Sequence, residues 1–168
     1  MFSTIGRRAI ASTVGFFLGW IGFLILTPAR AVPAFEAPPE QVLSITLKHQ
    51  GCTDSALKCP VYDLTFHNDG TAIYTGYAND DFIGKHTAYM DPLDFGYLQN
   101  QLYKQGFFEL PQVYATDPTQ EIVVLEVVTT QRRRRVTTHN WFSTPFELRA
   151  LHATIAEQVY HMDWAEAE

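Results

Sequence analysis

The sequence predicts an α+β fold, a mostly antiparallel sheet with two helices packed on one face. Three observations predict it. Apolar and polar residues alternate in several short runs, two later segments carry apolar residues at helical spacing, and turn residues such as Asn68-Asp69-Gly70 separate the strand runs. In chain order the elements are β, β, β, a weaker β, α, β, β and α, a grouping that suits an antiparallel sheet better than a parallel one.

The first strand is marked by Leu43, Ile45 and Leu47 at the period of a half-buried strand. A second runs over Val61 to Phe66, with Tyr62, Leu64 and Phe66 on one face, and Asn68-Asp69-Gly70 supplies the positive backbone angles of a tight hairpin. Thr71 to Tyr77 is the returning strand, and after the turn signal Asn79-Asp80-Asp81 the stretch Phe82 to Tyr89 makes the weaker fourth. Asp91 then caps a helix with Pro92 at its first position, where a missing N–H costs nothing. Phe95, Leu98 and Leu102 share one side of that helix, and Gly106 is a stop. Phe107 to Gln120, with Pro111 and Pro118, is loop. Glu121 to Thr130 is apolar on both faces and therefore central, and Gln131 to Arg135 turns into a strand ending near His139. Thr144-Pro145-Phe146-Glu147 has the form of a capping box opening the last helix, whose stripe is Leu148, Leu151, Ile155, Val159 and Met162.

Ahead of this domain lies an export segment. Arg7 and Arg8 precede an apolar run from Ala9 to Thr27, and Pro28-Ala29-Arg30-Ala31 places Ala29 and Ala31 at the small-residue positions of a cleavage site. Residues 1–31 are thus a signal peptide, favoured for the general secretory route and for cleavage after Ala31. The apolar run is also about as long as an uncleaved membrane helix, so retention as an anchor stays open. Either way the paired arginines hold the start of the chain on the cytoplasmic side, and the remainder is extracytoplasmic: periplasm, cell envelope or medium. No cysteine stands at the cleavage site, which excludes a lipoprotein anchor. Residues 32–41, with Pro33, Pro38 and Pro39, form an extended tether, residues 42–164 the domain, and residues 165–168 an acidic tail.

The full chain carries 12 Lys and Arg against 18 Asp and Glu, a net charge of -6. Removal of Arg7, Arg8 and Arg30 with the leader leaves nine cations and a net charge of -9. Such a balance argues against nucleic acid as a partner, because affinity for polyphosphate comes from clustered cations that release counterions.

Cys52 and Cys59 are the only cysteines, and both lie in the exported part. A disulfide is the natural reading in an oxidising compartment, and it is favoured over a redox pair, which usually needs C-x-x-C at a helix start. Gly51-Cys52, Cys59-Pro60-Val61-Tyr62, Asp69-Gly70 and the strand with Tyr74 and Gly76 together resemble a family of uncharacterised bacterial exported domains, over about residues 42 to 164. Its pattern is a cysteine, a short loop, a C-P-x-Y motif and a D-G hairpin, then a helix, a two-strand segment and a terminal helix. The resemblance implies a fold and no catalytic residue, since that family has no established activity.

His49, His67, His86, His139, His152 and His161 are numerous enough to raise a metal site, but none shows ligand spacing, and Asp69, Asp80 and Asp81 lack calcium-loop periodicity. No G-x-S-x-G elbow or phosphate-cradling glycine loop is present, and no cofactor is called for. Arg132, Arg133, Arg134 and Arg135 stand out in an acidic chain. A solvated hairpin tip accounts for them, and the sharper alternative is a docking patch for an acidic protein, another envelope component or an anionic membrane surface. The aromatics, Tyr62, Tyr74, Phe82 and Trp164 among them, are dense enough for some to line a groove, but filling the core between sheet and helices is the favoured reading. The function expected is a non-catalytic binding or interaction module of the cell envelope. Its rival is a metal-dependent hydrolase with a site assembled from dispersed His and Asp residues.

Overall fold

The computed structural model describes residues 40–52, 58–114, 121–139 and 144–167, all within the compact unit Pro38–Glu168. The predicted leader, the cleavage residues Ala29 and Ala31 and the tether up to residue 39 lie outside the described residues, as do Trp141 and Phe142. The strands are β1 (Val42–Gln50), β2 (Val61–His67), β3 (Thr71–Ala78), β4 (Gly84–Tyr89), β5 (Val113–Tyr114), β6 (Val123–Thr129), β7 (Arg133–Thr138) and β8 (Ala165–Glu166). They form one sheet in the order β5-β7-β6-β1-β2-β3-β4-β8. Each strand pairing is antiparallel except that of β5 with β7. Helices α1 (Pro92–Lys104) and α2 (Phe146–Val159) complete an α+β fold.

Register explains why one face is dry. Ile45 sits between Phe66 and Val127, and Leu47 between Leu64 and Leu125, so the alternation of β1, β2 and β6 lays their apolar residues in cross-strand rows. All six side chains are fully buried. Phe95, Leu98 and Leu102 of α1 and Leu148, Leu151 and Ile155 of α2 join the same core. Burial of each such side chain contributes roughly 1.5–3 kcal/mol. On the opposite face, Thr46 and Thr65 hydrogen-bond at 3.1 Å and Lys48 pairs with Asp63 at 2.5 Å. Val124 is buried there too, between Lys48 and Thr137 in register. That matches β6 as an inner strand, with β7 on one side and β1 on the other.

The local signals act as their chemistry requires. Asp91 Oδ1 accepts the Leu93 N–H at 2.7 Å ahead of Pro92, and Asp69 Oδ1 accepts the Thr71 N–H at 2.8 Å in the β2–β3 turn. Gly70, at φ 87°, holds a backbone conformation that side-chain-bearing residues rarely adopt, which is why glycine closes this turn.

Four expectations change. The loop from Phe107 contains a 3-10 turn, Phe107–Glu109, that buries Phe107 and Phe108, and then β5, whose two residues run parallel to β7. The capping box at Thr144 does not open α2: Pro145 occupies the cap and the helix begins at Phe146. Pro145 has extended backbone (φ -56°, ψ 150°) and no side-chain acceptor, so the observed cap lies one residue past the one that the Thr144 to Glu147 spacing requires. In the acidic tail, Ala165–Glu166 pairs with Thr87 and His86 of β4, and the Ala167 N–H donates to the Lys85 carbonyl at 2.9 Å. At the other end, Gln41 is held to Thr130 rather than free as tether, its N–H donating to Oγ1 at 3.2 Å and its carbonyl accepting the Thr130 N–H at 2.9 Å.

Candidate functional site

A row of rings crosses the helix-covered face of the sheet. His49 of β1 stands opposite Tyr62 of β2 in register, and their rings stack with centroids 4.5 Å apart. Tyr62 stacks in turn on Tyr74 of β3 at 5.1 Å. Tyr74 receives the edges of Phe82 and Trp164 at 5.9 and 5.8 Å, and Phe82 meets His86 of β4 at 5.7 Å. Period-two alternation puts His49, Tyr62 and Tyr74 on the same side as Leu47 and Leu64, and each stacked pair adds about 0.5–1.5 kcal/mol to area burial.

The loop after β3 folds back over this row. Asn79 adopts φ 54°, a conformation asparagine tolerates better than most residues. Ile83 then bridges back to Gly76 of β3. Gly76 permits the approach, because a Cβ on it would lie 1.8 Å from the Phe82 carbonyl oxygen. The loop is fixed by Asp80, whose Oδ1 accepts the Phe82 N–H at 3.3 Å and whose Oδ2 accepts the Tyr74 hydroxyl. Its other anchor is the Asn79 Nδ2, which donates to the Cys59 carbonyl at 3.2 Å.

Between this loop, the segment after Cys59 and the end of α2 opens a cleft of about 600 Å³. Tyr62 and Tyr74 line it from the sheet, Asp80, Asp81 and Phe82 from the loop, and Tyr160 from beyond α2, with Lys58 and Pro60 beside Cys59. Phe82 is 38% and Tyr160 84% exposed, so both present ring surface to solvent. The charged residues that line it are Lys58, Asp80 and Asp81. Burial raises the Tyr62 phenol well above its ordinary value, and the charges of Glu121 and Asp80 push it the same way. Tyr74 is raised by burial and by its hydrogen bond to Asp80. Both phenols therefore stay protonated in any physiological medium. Hydroxyls, ring faces and carboxylates suit the binding of a small polar cation.

The structure distributes the sequence-derived candidates as follows. Cys52 and Cys59 form a disulfide, with Cα atoms 5.7 Å apart. Pro60 and Lys58, beside Cys59, line the cleft. The four arginines do not share one face of the sheet. Arg132 makes a forked pair with Glu40, at 2.9 and 3.1 Å, and its guanidinium lies 4.2 Å from the centre of the Phe108 ring. Arg134 donates to the Leu110 carbonyl. Arg133 and Arg135 alternate onto the opposite face, where Arg133 approaches Glu126 at 3.7 Å.

The histidines scatter. His49 Nδ1 bonds Glu121 at 2.6 Å, His86 Nε2 bonds the Ile83 carbonyl at 3.1 Å, and His161 lies 3.9 Å from Glu157 at the surface. His152 is buried in α2, and burial, with a smaller push from His49, drives its pKa down to about 3. Among the described residues no three His, Cys, Asp or Glu side chains gather as metal ligands. For the aromatic rings of the cleft the sequence favours the core, with a groove as the alternative, and Tyr62, Tyr74 and Phe82 line the groove. Gly76 inside a strand is the signal that could have found it, since an isolated strand glycine marks close backbone approach.

Compared with known proteins, residues 43–159 match a family model described as a domain of unknown function, DUF6438. No curated protein matches the chain.

Proposed function

The chain belongs to the DUF6438 family, whose function is unknown, and we propose that it is an exported, non-catalytic binding module of the cell envelope whose cleft holds a cationic amine. The observation that carries this reading is the convergence of Asp80, Asp81, Phe82, Tyr160, Tyr62 and Tyr74 on one open cleft. Two aspartates and one lysine line the cleft, an excess of one negative charge for a ligand to match. An ammonium over an aromatic ring gains about 0.5–1 kcal/mol at an exposed site, and a carboxylate at hydrogen-bond distance adds orientation. Export is supported by the arginine, apolar and small-residue order of residues 1–31 and by the Cys52–Cys59 bridge, which is compatible with an oxidising compartment.

The test is a titration of the full chain with butylammonium and with its neutral counterpart, butanol, followed by the ring-proton resonances of Phe82 and Tyr160. Butylammonium should shift both rings saturably and butanol should not. Asp80→Asn, which can still accept the Tyr74 hydroxyl, should weaken the response about fivefold, the equivalent of about 1 kcal/mol. Equal responses to the two probes, or a response indifferent to Asp80→Asn, would overturn the reading.

A further inference from the structure

On the face of the sheet opposite the cleft, we propose a second site: Arg133 and Arg135 bind an extended acidic segment of a partner protein. The two arginines and Thr137 occupy alternate positions of β7, opposite Val128, Glu126 and Val124 of β6. Alternate residues of a strand stand about 6.6–7 Å apart on one face. They line a groove of about 320 Å³ with Glu126, Gln112 and Val113.

The charge in this groove is unbalanced. Glu126 is the lone carboxylate of its lining. It reaches Arg133 only at 3.7 Å and stands directly across from Arg135, which makes no ion pair among the described residues. Two guanidiniums therefore share one carboxylate, whereas Arg132 and Arg134 are engaged by Glu40 and the Leu110 carbonyl.

The spacing selects the occupant. An extended peptide also repeats its side chains every two residues, so carboxylates at alternate positions would meet Arg133 and Arg135 in register. An anionic bilayer is the weaker occupant, because its surface is planar and its charges have no fixed period, whereas an extended peptide matches the spacing of alternate strand positions.

The experiment uses the purified full chain and two fluorescent peptides of equal composition, one alternating glutamate with serine and one with its glutamates in a single block. Anisotropy should show the alternating peptide binding at least fivefold tighter. Arg133→Ser combined with Arg135→Ser should reduce that affinity tenfold or more, and Arg132→Ser should leave it unchanged. Glu126→Gln should tighten binding severalfold, a gain that misfolding cannot imitate. Equal binding of the two peptides, no loss in the double variant, or weaker binding after Glu126→Gln would each overturn the proposal. So would a preference for phosphatidylglycerol over phosphatidylcholine vesicles that the double variant abolishes while peptide binding is absent.

Discussion

Gly76 and Phe82 are in contact through backbone alone: a Cβ on Gly76 would sit 1.8 Å from the Phe82 carbonyl oxygen and 2.8 Å from its carbonyl carbon. The obstacle is main chain, which no rotamer change relieves. Gly76→Ala should therefore push the loop carrying Asp80 and Phe82 off the sheet and lower stability by about 1–3 kcal/mol, the usual cost of overpacking. Urea unfolding measures the loss. The same variant should lose the butylammonium response, since the Tyr74 to Asp80 hydrogen bond depends on the loop's seat.

Glu40 closes the β6–β7 turn from outside the sheet. Its Oε1 accepts the Thr129 hydroxyl at 2.6 Å and the Arg132 Nε at 2.9 Å, and these two bonds hold its carboxyl below the usual carboxylate range. A depressed carboxyl stabilises the fold above its unfolded value, and that contribution fades as pH falls through the lowered one. Glu40→Gln should speed amide exchange at Thr130 and Arg132 near neutral pH. The difference from the native chain should narrow in acid, where Glu40 is itself protonated.

His152 gives a larger pH effect because it is buried, at 3% exposure. Its folded pKa of about 3 lies well below the ~6.5 of a free histidine. Above both values the residue is neutral in either state and contributes no pH dependence. Between them only the unfolded chain takes up the proton, so stability falls with pH at up to about 1.4 kcal/mol per unit. From pH 6.5 to 4.5 the native chain should lose on the order of 2 kcal/mol through this group alone. His152→Leu, close in volume, should flatten that part of the stability profile in urea melts at the two pH values.

Regular elements were legible where one face is buried, because a period of two or of 3.6 is forced on any strand or helix that faces a core. Ile45, Leu47, Phe95 and Leu98 carry such a pattern and are buried as expected. β5 and β8 could not be read this way: each is two residues long and is held by backbone pairing, which leaves no side-chain signature. The arginine run shows a different limit. Read as charge it is one patch, yet strand alternation sends Arg133 and Arg135 to one face and Arg134 to the other. The site was hidden for a third reason. Tyr62 and Tyr74 are core residues by pattern, and the cleft that they line is bounded by residues far apart in sequence, from Lys58 and Pro60 through Asp80 and Phe82 to Ala156 and Tyr160.

The disulfide ties stability to the same cleft. Cys52 follows β1, Cys59 precedes β2, and the Cys59 carbonyl receives the Asn79 side chain that anchors the cleft loop. Closing so short a loop removes about 2.5 kcal/mol of unfolded-chain freedom in the chain-entropy model. Cys52→Ser combined with Cys59→Ser should lower unfolding free energy by about that amount at constant m-value, and reductant should do the same to the native chain. Stability indifferent to both would show that the bridge does not constrain the fold. Because Lys58 and Pro60 flank Cys59 and line the cleft, the double variant should also weaken butylammonium binding even at temperatures where it remains folded. Unfolding alone would instead reduce the number of competent molecules and leave the affinity of those that remain unchanged, so a titration followed at folded-state resonances separates the two.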